Sequence, residues 1–311
     1  MKAIVISTPG SVENLVIRDD IPRPTPTRGT ALIKIPAFGI NHAEMHMRRG
    51  EWAESVPISG IECVGVVEDC PGGEIPARTP VAALMGGLGR TVPGSYAEYT
   101  VARVSNVVAL ADTEEELPLP WAEIAALPES YATAWACLFR NLGLRSGQRL
   151  LIRGRRLNLA VEAGAIITAT TRSEAKFGML RGLGVTDVIR ECPSLAQRLK
   201  DQHPEDAKFD CILELVGNST VVESLTMMAS GVHFSFFGSF VFGTDEFPLS
   251  DVPLREIVQK VADGRVKHAK PWTTFGFGEI REAHKVMEEG GAGGKMVVVV
   301  DSGGRLAPAC L

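Results

Sequence analysis

Between residues 149 and 237 the chain alternates short apolar runs with amphipathic stretches, and this rhythm constrains the fold more than any other feature. Runs at 149–152, 165–170, 187–189, 209–215 and 231–237 read as strands. The stretches between them, 157–163, 174–183, 194–202 and 221–228, read as helices, with Ser173 as the expected N-cap of the second. Repeated strand–helix–strand units predict an α/β fold with a doubly wound parallel sheet. The chain before this region is different. Apolar runs at 2–6, 30–35 and 63–68, separated by turn-rich stretches at 22–29 and 70–80, predict a barrel-like β domain. Stretches 117–127 and 131–142 carry apolar residues at helical spacing. After Pro248 the pattern predicts helices at 254–262 and 278–289, then a strand at 295–300 that leads back to the β domain. The expected organisation is a β domain over 1–120, completed by 268–311, and a parallel-sheet domain over 121–267.

Bulk properties narrow the function classes. With 311 residues, 45% of them hydrophobic and 22% charged, the chain suits two ordinary globular domains. A formal net charge of -5 disfavours nucleic acid and anionic membrane surfaces as partners. Cys63, Cys70, Cys137, Cys192, Cys211 and Cys310 form no C-x-x-C pair and read as reduced thiols. The N-terminal sequence turns polar too early for a signal peptide, and no apolar run has the length of a membrane span. A cytoplasmic protein acting on a small molecule is the expectation.

An ordered set of short motifs then becomes specific. Gly39-Ile40-Asn41 is followed by Gly60-Ile61-Glu62-Cys63-Val64-Gly65-Val66-Val67 and by Gly94-Ser95-Tyr96-Ala97-Glu98-Tyr99. Next come Leu127-Pro128-Glu129-Ser130-Tyr131 and Thr133-Ala134-Trp135, then Glu214-Leu215-Val216-Gly217 and Ala292-Gly293-Gly294-Lys295. In this order they resemble the zinc-free quinone-oxidoreductase branch of the medium-chain dehydrogenase/reductase superfamily. The resemblance spans nearly the whole chain. It implies a GroES-like β-barrel substrate domain and a Rossmann cofactor domain.

The resemblance also implies site residues. Zinc-dependent alcohol dehydrogenases of this superfamily carry a Cys after Gly-Ile and a His in Gly-His-Glu. Asn41 and Ile61 stand there in this chain, and neither supplies the usual thiolate or imidazole. His42 and His46, four apart, have the spacing of a metal pair but lack a third ligand, so they read as surface or pocket histidines and no metal is expected. Asn41 matches an active-site Asn of the resembled pattern, where a carboxamide can donate to a substrate oxygen without titrating. His46 takes the place of a frequent Tyr and can donate or relay a proton. A turn-closing Asn41 and a surface His46 are the alternatives. Tyr96 is a weaker candidate, Trp135 reads as core, and Glu62 is read as structural.

For the cofactor, the strand at 165–170 runs into Thr171-Arg172-Ser173 and Lys176 with no acidic residue at its end. Hydroxyls and cations there suit the 2′-phosphate of NADP (NADPH) rather than the ribose diol of NAD. A solvated first helical turn is the alternative. The resemblance adds Thr133, Val216 and Gly217 as cofactor-binding positions. Upstream, the strand ends in Arg153-Gly154-Arg155-Arg156, and only Gly154 remains of the glycine set that lets backbone approach a pyrophosphate. Compared with the resembled family, this shortened glycine loop has lost several residues. A second shortening near Phe247-Pro248 removes a strand that often carries dimer contacts, so a homodimer is left open.

Overall fold

The computed structural model describes residues 1–154, 158–202, 207–217, 219–232, 237–267 and 273–300. Two compact units emerge. The first comprises the described residues of 1–132, 238–262 and 269–311, and the second those of 133–237 and 263–268. The first unit therefore takes in 121–132 and 238–262 besides the expected 1–120.

In the first unit β1 (Ala3–Ile6) pairs antiparallel with β2 (Leu15–Arg18). The main sheet uses β3 (Thr30–Ile40), β4 (Glu62–Asp69), β5 (Pro80–Leu84), β6 (Tyr99–Arg103) and β7 (Val107–Ala109). Among the described residues it has seven strands; two later ones, β12 (Thr273–Gly276) and β13 (Met296–Val299), complete it in the order β12-β13-β3-β4-β5-β7, with β6 also on β3. The strand expected at 30–35 runs on to Ile40. Pro36 lies within it, and because proline lacks an N–H the β3–β4 register shifts between Lys34 and Ala37. Ile33, Phe38, Ile40, Val67, Val298 and Ala283 share one buried core. Helix α1 (His42–Arg49) follows β3 directly.

The helix expected over 117–127 shrinks to α2 (Trp121–Ile124), because Pro118 and Pro120 hold the preceding residues extended. This short helix packs on β3, β4 and β13, which places it in the first unit. The expected helix at 131–142 is instead α3 (Pro128–Trp135) continued by a π-helical turn, Ala136–Asn141.

The second unit carries a parallel sheet of β8 (Arg149–Arg153), β9 (Ile166–Thr171), β10 (Asp187–Arg190) and β11 (Cys211–Glu214), in the order β10-β9-β8-β11 among the described residues. Helices α4 (Asn158–Glu162), α5 (Phe177–Gly182), α6 (Leu195–Gln202) and α7 (Val221–Thr226) alternate with these strands. The chain moves outward from β8 to β10 and then returns to the other side of β8 as β11, so the order reverses between β8 and β11. Leu151, Ile189, Leu195, Leu199 and Phe209 form its core. Ser173 does occupy an N-cap, but of a 3-10 turn, Glu174–Lys176, and its hydroxyl makes no capping bond. The strand expected at 231–237 falls mostly outside the described residues, as do Arg155 and Arg156. In the first unit again, α8 (Leu254–Ala262) lies against β7, and α9 (Ile280–Glu288) follows a 3-10 turn where one helix from 278 was expected. No described helix is long and apolar enough to cross a membrane.

Candidate active site

The end of β3 delivers Asn41 to the N-cap of α1. Its backbone N–H donates to Glu44 Oε2 at 2.7 Å, and the Ile61 N–H donates to Glu44 Oε1 at 3.0 Å. Glu44 is fully buried, and burial pushes its carboxyl up to about 7 against the opposing pull of the Ile61 N–H and of Lys295. Glu62, at the start of β4, is equally buried. Its Oε1 accepts from Asn41 Nδ2 at 2.9 Å and from Lys295 Nζ, while its Oε2 accepts the Glu129 N–H at 2.7 Å. Lys295 lies just before β13, whose Met296 pairs with Ile40 of β3, and its Nζ also donates to Asn41 Oδ1. Gly39 makes the cluster sterically feasible. A Cβ there would stand 2.4 Å from Glu62 Oε1 and 2.7 Å from Lys295 Cε.

Sequence reasoning placed Asn41 but missed Glu44 and Lys295, and it read Glu62 as structural. The available signal was Gly294-Lys295 at the end of the motif series. Lys295 is the informative residue: an ammonium has three N–H donors, two are engaged here, and 14% of its side chain is exposed. The carboxamide of Asn41 is held at both ends, with its second amide proton directed at Glu44 Oε1 only at 3.5 Å. Together they offer donors to an oxygen that gains negative charge.

A zinc ion does not fit this arrangement. Asn41 Oδ1 already accepts from an ammonium, which sets a positive charge where a dication would sit, and Ile61 is a buried hydrocarbon. Among the described residues no group of three or more His, Cys, Asp or Glu side chains is placed to hold a metal. His46 does not join the cluster. Five residues along the chain from Asn41, its Nδ1 pairs with Glu51 and its ring stacks on Trp52 at 5.8 Å, with 42% of the side chain exposed. His42 is exposed. Tyr96 is fully buried, and its hydroxyl bonds His284 Nε2 at 3.0 Å, which makes it part of the core.

The expected cofactor residues lie in the second unit, at or beyond the carboxyl ends of its strands except for Thr133, which is buried on α3. Thr171 ends β9, and its Oγ1 accepts the Ser173 N–H at 3.3 Å. Arg172 and Lys176 are exposed and pair with none of the described residues. Among the described residues, the carboxyl end of β8 carries an ion cluster around Arg153. Arg153, 1% exposed, bonds Glu191 through Nε (3.2 Å) and Nη2. Its Nη1 reaches the Thr220 carbonyl (3.2 Å), Glu223 (3.2 Å) and Ser224 Oγ (3.1 Å). Glu214, its register partner on β11, stands 3.8 Å from Nε. Val216 and Gly217, expected to face the cofactor, donate their N–H groups to Glu214 Oε1 at 2.7 and 3.2 Å. Gly154 is required for a packing reason: at φ +149° its missing Cβ would meet Leu215 at 2.7 Å.

Residues 27–112 match the family model described as alcohol dehydrogenase GroES-like domain, and residues 157–264 match the one described as zinc-binding dehydrogenase. The quinone oxidoreductase of Pongo abelii is 26% identical over 82% of this chain and 78% of its own length. The 2-methylene-furan-3-one reductase of Solanum lycopersicum is 28% identical over 96% of this chain and 79% of its own. Among solved structures, AibC superposes with a TM-score of 0.83 at 24% identity, over 97% of this chain and 96% of that one. The quinone oxidoreductase of Coxiella burnetii gives 0.76 at 20% identity, over 97% and 99%. A parallel sheet with a crossover at β8, an antiparallel domain ending β3 in Gly-Ile-Asn, and both family models in this order have one common source: the chain belongs to the medium-chain dehydrogenase/reductase superfamily of oxidoreductases, in its quinone-oxidoreductase-like branch.

Proposed function

We propose that the chain is a zinc-independent, NADPH-type oxidoreductase acting on a quinone, an enone or a similar unsaturated carbonyl. The observation that carries this reading is the Asn41–Glu62–Lys295 cluster, which sets an ammonium against Asn41, the position where the resembled zinc-dependent enzymes carry a cysteine. A carbonyl conjugated to the reacting carbon accumulates charge on oxygen during reduction, and a fixed donor lowers that barrier. Lys295 supplies its third N–H to that oxygen. Asn41 orients the ammonium and contributes its own amide, and Glu62, anchored on the Glu129 N–H, keeps both in place. The names of the relatives, quinone oxidoreductase and furanone reductase, support the same substrate class. NADPH over NADH is supported by the unpaired Arg172 and Lys176 beyond β9. We assign His46 no part in the reaction.

A second reading has its own observation. The carboxylates gathered round Arg153 favour a relative that has lost dinucleotide binding and holds a small molecule at the Asn41–Lys295 cluster alone. Assaying a panel of enones and quinones with NADPH and NADH separates the two. Turnover that prefers NADPH supports the first. Absence of turnover with either, in protein that melts cooperatively, supports the second.

A further inference from the structure

One histidine on α9 is tied to both elements that flank Asn41. β3 ends at Ile40 and α1 begins at His42, so Asn41 sits at their joint. His284 is fully buried. Its Nδ1 accepts Arg48 Nε–H at 3.4 Å, and its Nε2 lies 3.0 Å from the Tyr96 hydroxyl. A guanidinium only donates, so Nδ1 carries the lone pair and Nε2 carries the hydrogen that Tyr96 accepts. Burial, with the charge of Arg48, holds His284 down to about 3, so the ring stays an acceptor for Arg48 throughout the neutral range. Tyr96 stacks on Phe38 of β3, with ring centroids 4.8 Å apart. Arg48, in the last turn of α1 and 1% exposed, also donates to the Gly10 carbonyl and to Glu288. Arg49 adds a second guanidinium to Glu288 at 2.9 Å.

The same stretch of chain leads to Lys295. From Glu288, the end of α9, it passes through Gly290-Gly291-Ala292-Gly293-Gly294, with Gly290 and Gly293 at positive φ. Such a run has little stiffness of its own. α1 spans it: the C-terminal end of the helix is tied to Glu288, and its N-cap, Asn41, to Lys295. A helix fixes the spacing of its two ends, which a glycine run does not. We infer that His284 is a positioning residue for the Asn41–Lys295 donor pair, acting through Arg48 on α1 and through Tyr96 on β3. This role rests on the donor function given above to that pair.

The test is competitive acetylation of the whole protein with acetic anhydride, read by peptide mass spectrometry, with the exposed Lys34 as internal reference. A lysine held by acceptors is labelled through local opening, so wild-type Lys295 is expected to react at least about tenfold more slowly than Lys34. His284→Leu removes both ring bonds at similar volume, and Lys295 is expected to gain about fivefold over Lys34. His284→Gln keeps an acceptor for Arg48 and a donor for Tyr96 and is expected to stay within about twofold of the wild type. Tyr96→Phe keeps the ring on Phe38 and removes one oxygen; it serves if His284→Leu does not fold, with about a threefold gain expected. Thermal unfolding identifies the folded variants. Enone reduction with NADPH, measured on the same samples, is expected to show kcat down at least about tenfold in His284→Leu with KM for NADPH unchanged. Folded variants whose Lys295 reacts at the wild-type rate overturn the role, and so does His284→Gln reacting as fast as His284→Leu. Labelling that responds to the variants in a protein without turnover keeps the positioning role and rejects the reductase reading. Normal kcat in folded His284→Leu, beside an active wild type, rejects the positioning role and leaves the reductase reading standing.

Discussion

Each unit gathers a cation among carboxylates, buried in the first and partly buried in the second, and the two clusters differ in what they leave over. In the first, Lys295 faces Glu62 and the Asn41 oxygen, keeps one N–H unengaged, and retains 14% exposure. In the second, Arg153 faces Glu191, Glu214 and Glu223, bonds through all three of its nitrogens, and is 1% exposed. An ammonium held by fewer acceptors than it has protons keeps a donor for a ligand; a buried guanidinium bonded through all three nitrogens mainly ties its own strand ends together. The same ingredients, a cation and glutamates, therefore leave a donor over in one unit and a buried cross-link between strand ends in the other.

The contrast breaks most visibly on removal of the cations. Arg153→Met leaves three carboxylates unbalanced and is expected to destabilise by about 3–5 kcal/mol in denaturant unfolding. Retention of wild-type stability would mean that the cluster is solvated and ties nothing together. Lys295→Met strands the fully buried Glu62 beside Glu44 and is expected to cost about 3 kcal/mol. It should also abolish enone reduction, whereas a stable variant of normal turnover would move the donor role elsewhere.

Glu44 sharpens the comparison through pH. Its carboxyl titrates at about 7 in the fold against an ordinary 4.5, chiefly through burial, with Glu62 adding to the rise while Lys295 and the Ile61 N–H oppose it. The folded chain then keeps a proton that the unfolded chain releases, so this group's contribution to stability is largest below about 4.5 and is lost as pH rises to about 7. The expected loss is roughly 3 kcal/mol across that window. In Glu44→Gln this part of the slope disappears; parallel pH–stability curves for variant and wild type would contradict the assignment. At the small end, His46→Ala breaks an exposed pair with Glu51 and a stack on Trp52. Its expected effect is within about 0.5 kcal/mol, with turnover unchanged. A large loss of turnover would return His46 to the site.

The fold was largely legible in the sequence because periodicity reports it directly. The runs at 149–152, 187–189 and 254–262 became strands or a helix within a residue or two of their expected ends. The helix expected at 117–127 failed because apolar spacing ignores the φ/ψ restriction that Pro118 and Pro120 impose on their neighbours. The site was legible only as far as its local motif. Asn41 follows Gly39-Ile40, but Lys295 reaches it across 254 positions, and no spacing rule spans that distance. Glu62 and Glu44 were passed over because a charge looks solvated until tertiary contacts bury it. Arg153 sits at the end of an apolar run and Glu214 at the end of another; their pairing needed the parallel register of β8 and β11.

The central claim is that the Asn41–Lys295 cluster handles the substrate oxygen. Its most direct test is Asn41→Ala, with turnover and melting temperature taken on the same sample. Turnover is expected to fall by about a hundredfold with a stability loss of about 1 kcal/mol. Turnover that stays at the wild-type level, or falls only in proportion to the folded fraction, would make Asn41 a helix cap and nothing more.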